Sequence, residues 1–303
     1  LKLLGAQVCV RTSYPNKQSN ICIGGGASGN TIGGGPGSEN FVSGDIWFVV
    51  RTDDGCASFM PDPFGTADPL IRPPSGTAGH GILLEGAGTS GNRIAGNLIG
   101  YRPIWGFHAG MGTYFFDVLS DRSGITKTSI YVRDGASDNE IGLAGEGGSN
   151  TIEFGLETGL VIDGAETSGN LVQNNSITSE SHGVVLQNGA KNNIIGNTEA
   201  DGNFIYARKH GVEIVGVETR GNRVSGNSIS ENGFSGVSIH DGANENIIGG
   251  DTLGAGNTIW ANISDGVLIY NPGADRNHVL GNSITHNGEI GVYFAGGASS
   301  NII

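Results

Sequence analysis

Three histidines in this sequence share one local context: His80, His182 and His210 each precede a glycine and then an apolar residue. If His182 and His210 occupy equivalent places in neighbouring repeats, about 5 Å would separate their imidazoles. Stacked imidazoles can exchange protons or bind a transition metal. Ser235, Asp265 and Ile290 hold the same place further along, so the plainer reading, an exposed and tolerant corner, is the one the sequence favours. A second group of polar residues, Arg51, Asp53, Asp54, His80, Arg102 and His108, falls within the first half of the chain. Proton abstraction beside a sugar carboxylate needs a base and a neighbouring cation to neutralise charge, and Arg51 or Arg102 would serve. Cys9, Cys22 and Cys56 form no C-x-x-C pair, which argues against zinc or a redox couple; a Cys9–Cys22 bridge would leave Cys56 odd. The sequence has no H-E-x-x-H, nucleophile-elbow, phosphate-loop or EF-hand pattern, so no metal and no cofactor are expected.

What must position these residues is a repeat. The segment Asn222-Arg-Val-Ser-Gly-Asn-Ser-Ile229 returns at Asn277, and earlier at Asn92 and Asn170. Between these copies lies a second version, Asn193-Ile-Ile-Gly, Asn246-Ile-Ile-Gly-Gly and Asn301-Ile-Ile, with a looser copy at Asn139. Two kinds of coil therefore alternate. A third landmark, glycine followed by alternating apolar residues, recurs at Gly159, Gly183, Gly211, Gly236, Gly266 and Gly291. Period-two runs this short are strands with one face in and one face out. Asparagines at equivalent corners can bond to one another and to turn backbone, so Asn170, Asn193, Asn222, Asn246, Asn277 and Asn301 are read as structural. The expectation is an all-β chain, a right-handed parallel β-helix or solenoid of about ten coils, folded as a single domain over 1–303.

Composition bounds the partners. The chain has 55 glycines and only 9 prolines in 303 residues, without the every-third spacing of collagen. The net charge of −13 argues against nucleic acid, which needs clustered Lys and Arg. The longest compact apolar run, Ile46–Val50, falls far short of the ~18 residues of a membrane span, so no membrane insertion is expected. The last residues stop in mid-repeat, so self-association through an uncapped C-terminal end is a further expectation.

On these motifs the sequence resembles the parallel β-helix repeat proteins of the pectin-lyase-like superfamily, especially the Asn-x-Ile-Gly-Gly and Gly-Asn-x-Ile repeat type. The resemblance covers about residues 20–44, 81–99 and 129–303. It implies the fold and an extracellular, cell-surface or periplasmic address, but no single chemistry. Within it, Asp53-Asp54-Gly-Cys and Gly79-His80-Gly81 resemble elements of polygalacturonase-type glycoside hydrolases. That likeness implies Asp53 and Asp54 as acid and base ~6.5–9.5 Å apart, with His80 beside them. Against it, no Arg-Ile-Lys element follows.

Function is expected where the repeat is interrupted. The corner segment grows long twice, giving insertions at 45–80 and 100–128 that leave from the same edge of adjacent coils. They carry Trp105, Tyr114 and eight more of the aromatic residues, which suits either a small core or a stacking platform. Candidate ligand contacts are Arg51, Arg102, Trp105, His108, Tyr114, His182 and His210. The favoured reading is a scaffold or adhesion module that grips a polysaccharide or a protein partner through these insertions. The alternatives are a polysaccharide-degrading or modifying enzyme (hydrolase, lyase or epimerase) using Asp53, Asp54 and His80, and a structural subunit of a larger complex.

Overall fold

The computed structural model describes residues 7–9, 19–34, 40–42, 48–51, 80–100, 102–108, 113–119 and 126–303. Every regular element among them is a β-strand, and most of them form a right-handed parallel β-helix with three faces. The first face stacks Ser19–Ile23, His80–Glu85, Thr126–Arg133, the far half of Thr151–Asp163, His182–Gln187, Val212–Val215, Val237–His240, Val267–Tyr270 and Val292–Ala295. The second stacks short strands from Thr31–Gly33 to His278–Leu280. The third runs from Asn40–Val42 through Ser176–Ser179, Phe204–Ala207, Ser228–Ser230 and Thr258–Trp260 to Ser283–Thr285. Each strand pairs in parallel with its equivalent one coil away, so the coil itself is the crossover.

The period-two pattern decides what fills the interior. Ile82, Ile130, Leu160, Val184, Val212, Val237 and Val267 form one inward row, and Leu84, Val132, Ile162, Leu186, Ile214, Ile239 and Ile269 a second, all buried. Isoleucines of the other two faces, such as Ile195 and Ile229, close the cross-section. Each fully buried side chain contributes about 1.5–3 kcal/mol, and branched side chains suit a pleated wall.

Asparagine holds the corners, as the repeat implied. In one ladder Asn30, Asn92, Asn139, Asn170, Asn193, Asn222, Asn246, Asn277 and Asn301 each bond to the next, amide nitrogen to amide oxygen, at 2.8–3.2 Å. A second ladder runs Asn97, Asn150, Asn175, Asn203, Asn227, Asn257 and Asn282. A third, Asn232, Asn262 and Asn287, was not singled out in the sequence.

The two kinds of coil differ between the first and second ladders. Tight coils close the corner within Asn92–Asn97, Asn170–Asn175, Asn222–Asn227 and Asn277–Asn282; wide coils need Asn139–Asn150, Asn193–Asn203 and Asn246–Asn257. In tight coils the residue before the second rung has positive φ: Gly96, Asn174, Gly226 and Gly281. Wide loops reach across the intervening tight corner, as where Glu199 N–H donates to Gly254 O at 2.8 Å, and a tight corner bonds its wide neighbour where Asn174 Nδ2 donates to Leu143 O at 2.7 Å. The buried corner after the first face alternates as far as Ala243, through Ala27, Thr89, Ala136, Thr167, Ala190 and Thr219, and Ala274 in the next coil ends the alternation.

The strands flanking the insertions are stacked: Asn40–Val42 on Asn97–Ile99, and His80–Glu85 on Thr126–Arg133. Part of the 45–80 segment is sheet rather than loop. Phe48–Arg51 pairs with Ser19–Ile23 on the side away from His80–Glu85, and Gln7–Cys9 pairs with it antiparallel. The 100–128 segment contains an antiparallel hairpin, Arg102–His108 with Thr113–Leu119.

Candidate functional site

The outward side of the first face carries a row that reads Leu83, Tyr131, Val161, Val185, Glu213, Ser238, Leu268 and Tyr293. Glu213 is the acid in an otherwise uncharged row. Around it the coil pitch gathers residues from four turns. His182 and His210, one coil apart at the start of their strands, stack with ring centres 5.9 Å apart, close to the spacing that the repeat implied. His182 Nε2 lies 3.7 Å from Glu213 Oε2, while His240 Nε2 is 3.1 Å from Glu213 Oε1. The other nitrogen of His240, Nδ1, is 3.0 Å from Asp241 Oδ2. Asn271 donates to the second Asp241 oxygen at 2.6 Å, and Tyr270 stacks on the His240 ring at 4.7 Å.

The expectation that this corner is exposed holds at Ile290 and fails at the other places. His182 and His210 are half-buried, and Ser235 and Asp265 at the same place are buried. The cause is hydrogen bonding along the row. Ser235 N–H donates to His210 Nδ1 at 3.3 Å, Asp265 Oδ1 accepts from Ile290 N–H at 3.0 Å, and Phe234 packs beside the His210 ring at 5.4 Å.

Electrostatics separate the members. Burial lowers the pKa of His210 to about 4, against the weaker opposing pull of Glu213. Burial also lowers His182, again opposed by Glu213. For His240 burial acts the same way, but hydrogen bonds to Glu213 and Asp241 outweigh it and the pKa is raised. Burial would raise Glu213, yet the His240 hydrogen bond and the neighbouring imidazoles hold it below the ordinary carboxylate range. Near neutral pH an ionised Glu213 therefore stands between a neutral His182 and a His240 biased toward its charged form. Groups whose environments push their pKa values apart are what acid–base chemistry requires.

A second polar cluster lies nearer the N-terminal coils. His80 stacks on Tyr131 at 4.4 Å, and its Nδ1 is buried without a hydrogen-bond partner. Burial, then the fields of Arg133 and Lys127, lowers the His80 pKa to about 4. Tyr131 donates to Asp163, which also accepts from Gln187 and Asn188, and Arg133 pairs with Glu85 at 2.7 Å. Apart from His80 Nδ1, these groups satisfy one another, so the cluster reads as bracing.

Of the residues singled out in the sequence, the structure brings His182 and His210 together and sets His80 several coils away. Asp53 and Asp54 lie outside the described residues. Arg51, Arg102, Trp105, His108 and Tyr114 lie on the strands given above, with Trp105 opposite Phe116 and Tyr114 opposite Phe107 in the hairpin; their side chains are outside the description. Glu213, His240, Asp241 and Tyr270 were missed. The available signal was register: aligning the strand glycines puts one acid in an uncharged outward row. Among the described residues no group of His, Cys, Asp or Glu has an arrangement that could hold a metal ion.

No curated protein matches the chain. A crystal structure of a mutant of the periplasmic alginate epimerase AlgG is similar, with a TM-score of 0.45 and 17% identity, over 70% of this chain and 49% of that one. The chain thus spans about half the length of that protein. The family model described as "Right handed beta helix region" matches residues 139–303, more than half of the sequence, and the chain belongs to that right-handed β-helix family.

Proposed function

We propose that this protein acts on a polysaccharide laid along the first face, outside the cytoplasm, using Glu213 and its histidines for acid–base chemistry. The observation that carries the reading is the ionised Glu213 held between neutral His182 and a His240 biased toward its charged form. His182 is the base; His240, whose two ring nitrogens are bonded to Glu213 and Asp241, is the acid and passes its proton through Glu213, whose other oxygen faces the sugar. The 3.7 Å between His182 Nε2 and Glu213 Oε2 exceeds a hydrogen bond, which leaves His182 Nε2 free to accept the proton of one incoming hydroxyl. The parallel sheet supplies rigid support, which positions such groups better than loops do. The reaction class is hydrolysis, elimination or epimerisation. Incubation with neutral and acidic polysaccharides, followed by assays for reducing ends, unsaturated uronates and altered sugar configuration, tests it. Turnover should fall by about 10²–10⁴-fold in His182→Ala, and Glu213→Gln should impair it comparably. Activity that survives both changes would remove the assignment.

One observation favours a second reading, capture of a glycan or protein without turnover through 45–80 and 100–128. The strands on either side of both insertions are stacked, so the two segments leave the rod at one edge. Binding without product, lost on Trp105→Ala, would support it.

A further inference from the structure

Over residues 176–285 the outward side of the third face is built mainly of serine and threonine, and three aromatic residues break the pattern. Phe204, Tyr206 and Trp260 are exposed by 68%, 45% and 39%. Large aromatic rings left in water on a sheet mark a contact surface more often than a scattered apolar side chain does. Strand pairing fixes their arrangement. Phe204 pairs with Ser228, so Tyr206 lies level with Ser230, and Ser230 pairs with Trp260. Tyr206 and Trp260 thus stand in one outward row, two strand spacings or about 9.5 Å apart, with the small Ser230 between them. A concavity of ≈ 430 Å³ runs beside this row, lined by Tyr206, Glu231, Ile263 and the ion pair Glu180–Arg208, which closes at 2.7 Å.

We infer that this face is a glycan-binding surface for a neutral, extended, β-1,4-linked polysaccharide, with Tyr206 and Trp260 as two stacking platforms. An extended β-linked chain turns its rings over at each residue. It therefore presents the same sugar face at every second residue, at nearly the spacing of two coils. The C–H face of a sugar packs on an aromatic ring because the ring's face is electron-rich. Between the platforms, the hydroxyls of Ser230 and its serine and threonine neighbours can bond to the sugar hydroxyls. Charge selects a neutral chain over a polyuronate: Arg208, the cation lining the concavity, is already paired with Glu180, Glu231 adds an acid, and the whole chain carries −13. The inference is independent of the acid–base assignment, because the two surfaces lie on different faces.

Titration calorimetry with cellohexaose and mannohexaose, with hexagalacturonate as the acidic comparison, is the test. At least one neutral hexasaccharide should bind, and the corresponding disaccharide, too short to span both platforms, should bind at least tenfold more weakly. Trp260→Ala and Tyr206→Ala, both changes of exposed side chains, should each weaken hexasaccharide binding at least tenfold. Ser230→Lys, which fills the space between the platforms without removing either ring, should do the same, with unchanged circular dichroism in all three. Glu213→Gln should leave this binding unaltered, which separates failure here from failure of the acid–base reading. The proposal is overturned if no neutral hexasaccharide binds, if hexagalacturonate binds more tightly, or if the three variants bind like the original. Concentration-dependent self-association abolished by Trp260→Ala, without sugar binding, would likewise overturn it in favour of a protein contact.

Discussion

Replacing Asn222 with alanine removes a single side chain that serves four bonds. Its Oδ1 accepts from the N–H of Asn193 at 3.0 Å and from Asn193 Nδ2 at 3.2 Å, while its Nδ2 donates to Ala190 O at 2.8 Å and to Asn246 Oδ1 at 3.1 Å. Asn193 Nδ2 keeps its bonds to Thr167 O and Lys191 O, and Asn246 Oδ1 keeps the Asn222 N–H. The lasting damage falls on the Asn193 N–H and the Ala190 carbonyl, enclosed at a position where Asn222 itself is fully buried. Each buried group left unmatched costs about 1–3 kcal/mol, so the expected loss is about 2–6 kcal/mol. Asn244→Ala provides the contrast: its Nδ2 makes a local bond to Gly242 O at 2.9 Å at a half-buried site, and the loss there should be about 0.5–1.5 kcal/mol. Urea unfolding followed by circular dichroism gives the totals. Because repeat arrays can open locally, hydrogen exchange at the Asn193 amide locates the damage. Equal losses in the two variants, or an Asn193 amide as protected as before, would refute the reasoning that the ladder holds the coils together.

A β-carbon at Gly211 would sit 2.6 Å from Ile229 Cγ2 and 2.7 Å from Gly236 O, so Gly211→Ala should lower the melting temperature; an unchanged value would show that the strand glycine is dispensable. Burial first, then nearby cations, lowers His80 to about 4, and burial lowers His210 to about 4, against 6.5 for each in the unfolded chain. Between those values the unfolded chain binds more protons, so stability is full above about pH 6.5 and is lost as the pH falls toward 4. Melting temperatures measured from pH 7 to 4 should decline less steeply in His210→Gln, and identical slopes would contradict this. Burial and then the Asp163 hydrogen bond raise the Tyr131 pKa. Asp163→Ala should therefore bring the phenol's ionisation to lower pH, as followed by ultraviolet absorbance; no movement would mean that Asp163 has little influence on it.

The scaffold was legible because its determinants are local and periodic. Gly-apolar-x-apolar runs set the strands, and asparagines recurring at fixed corners announced the ladders, including the weak copy at Asn139. The Asn232, Asn262 and Asn287 ladder escaped because its rungs lie outside the two repeat signatures. The His182 and His210 stack was visible as an equivalence between coils, yet its burial was not, since Phe234 and the bonds of Ser235 enclose it from neighbouring turns. Glu213 and His240 were hidden for a related reason. They meet diagonally, from different outward rows one coil apart, and only the strand register brings a residue 27 positions away into hydrogen-bond range. Asp53 and Asp54 drew attention through adjacency in the chain, whereas the cluster that formed owes its existence to pitch.

The alternation of tight and wide corners gives the rod a grammar in which the smallest complete word is two turns long. A single turn added or excised would set like against like at the junction, where two wide loops would meet with no narrow corner to bridge or two narrow corners with no wide loop between them. Lengthening should therefore succeed in doublets, for instance by splicing a second copy of residues 222–276 ahead of Asn277. Gene duplication acting on this architecture would be expected to leave its scars at that same doublet interval.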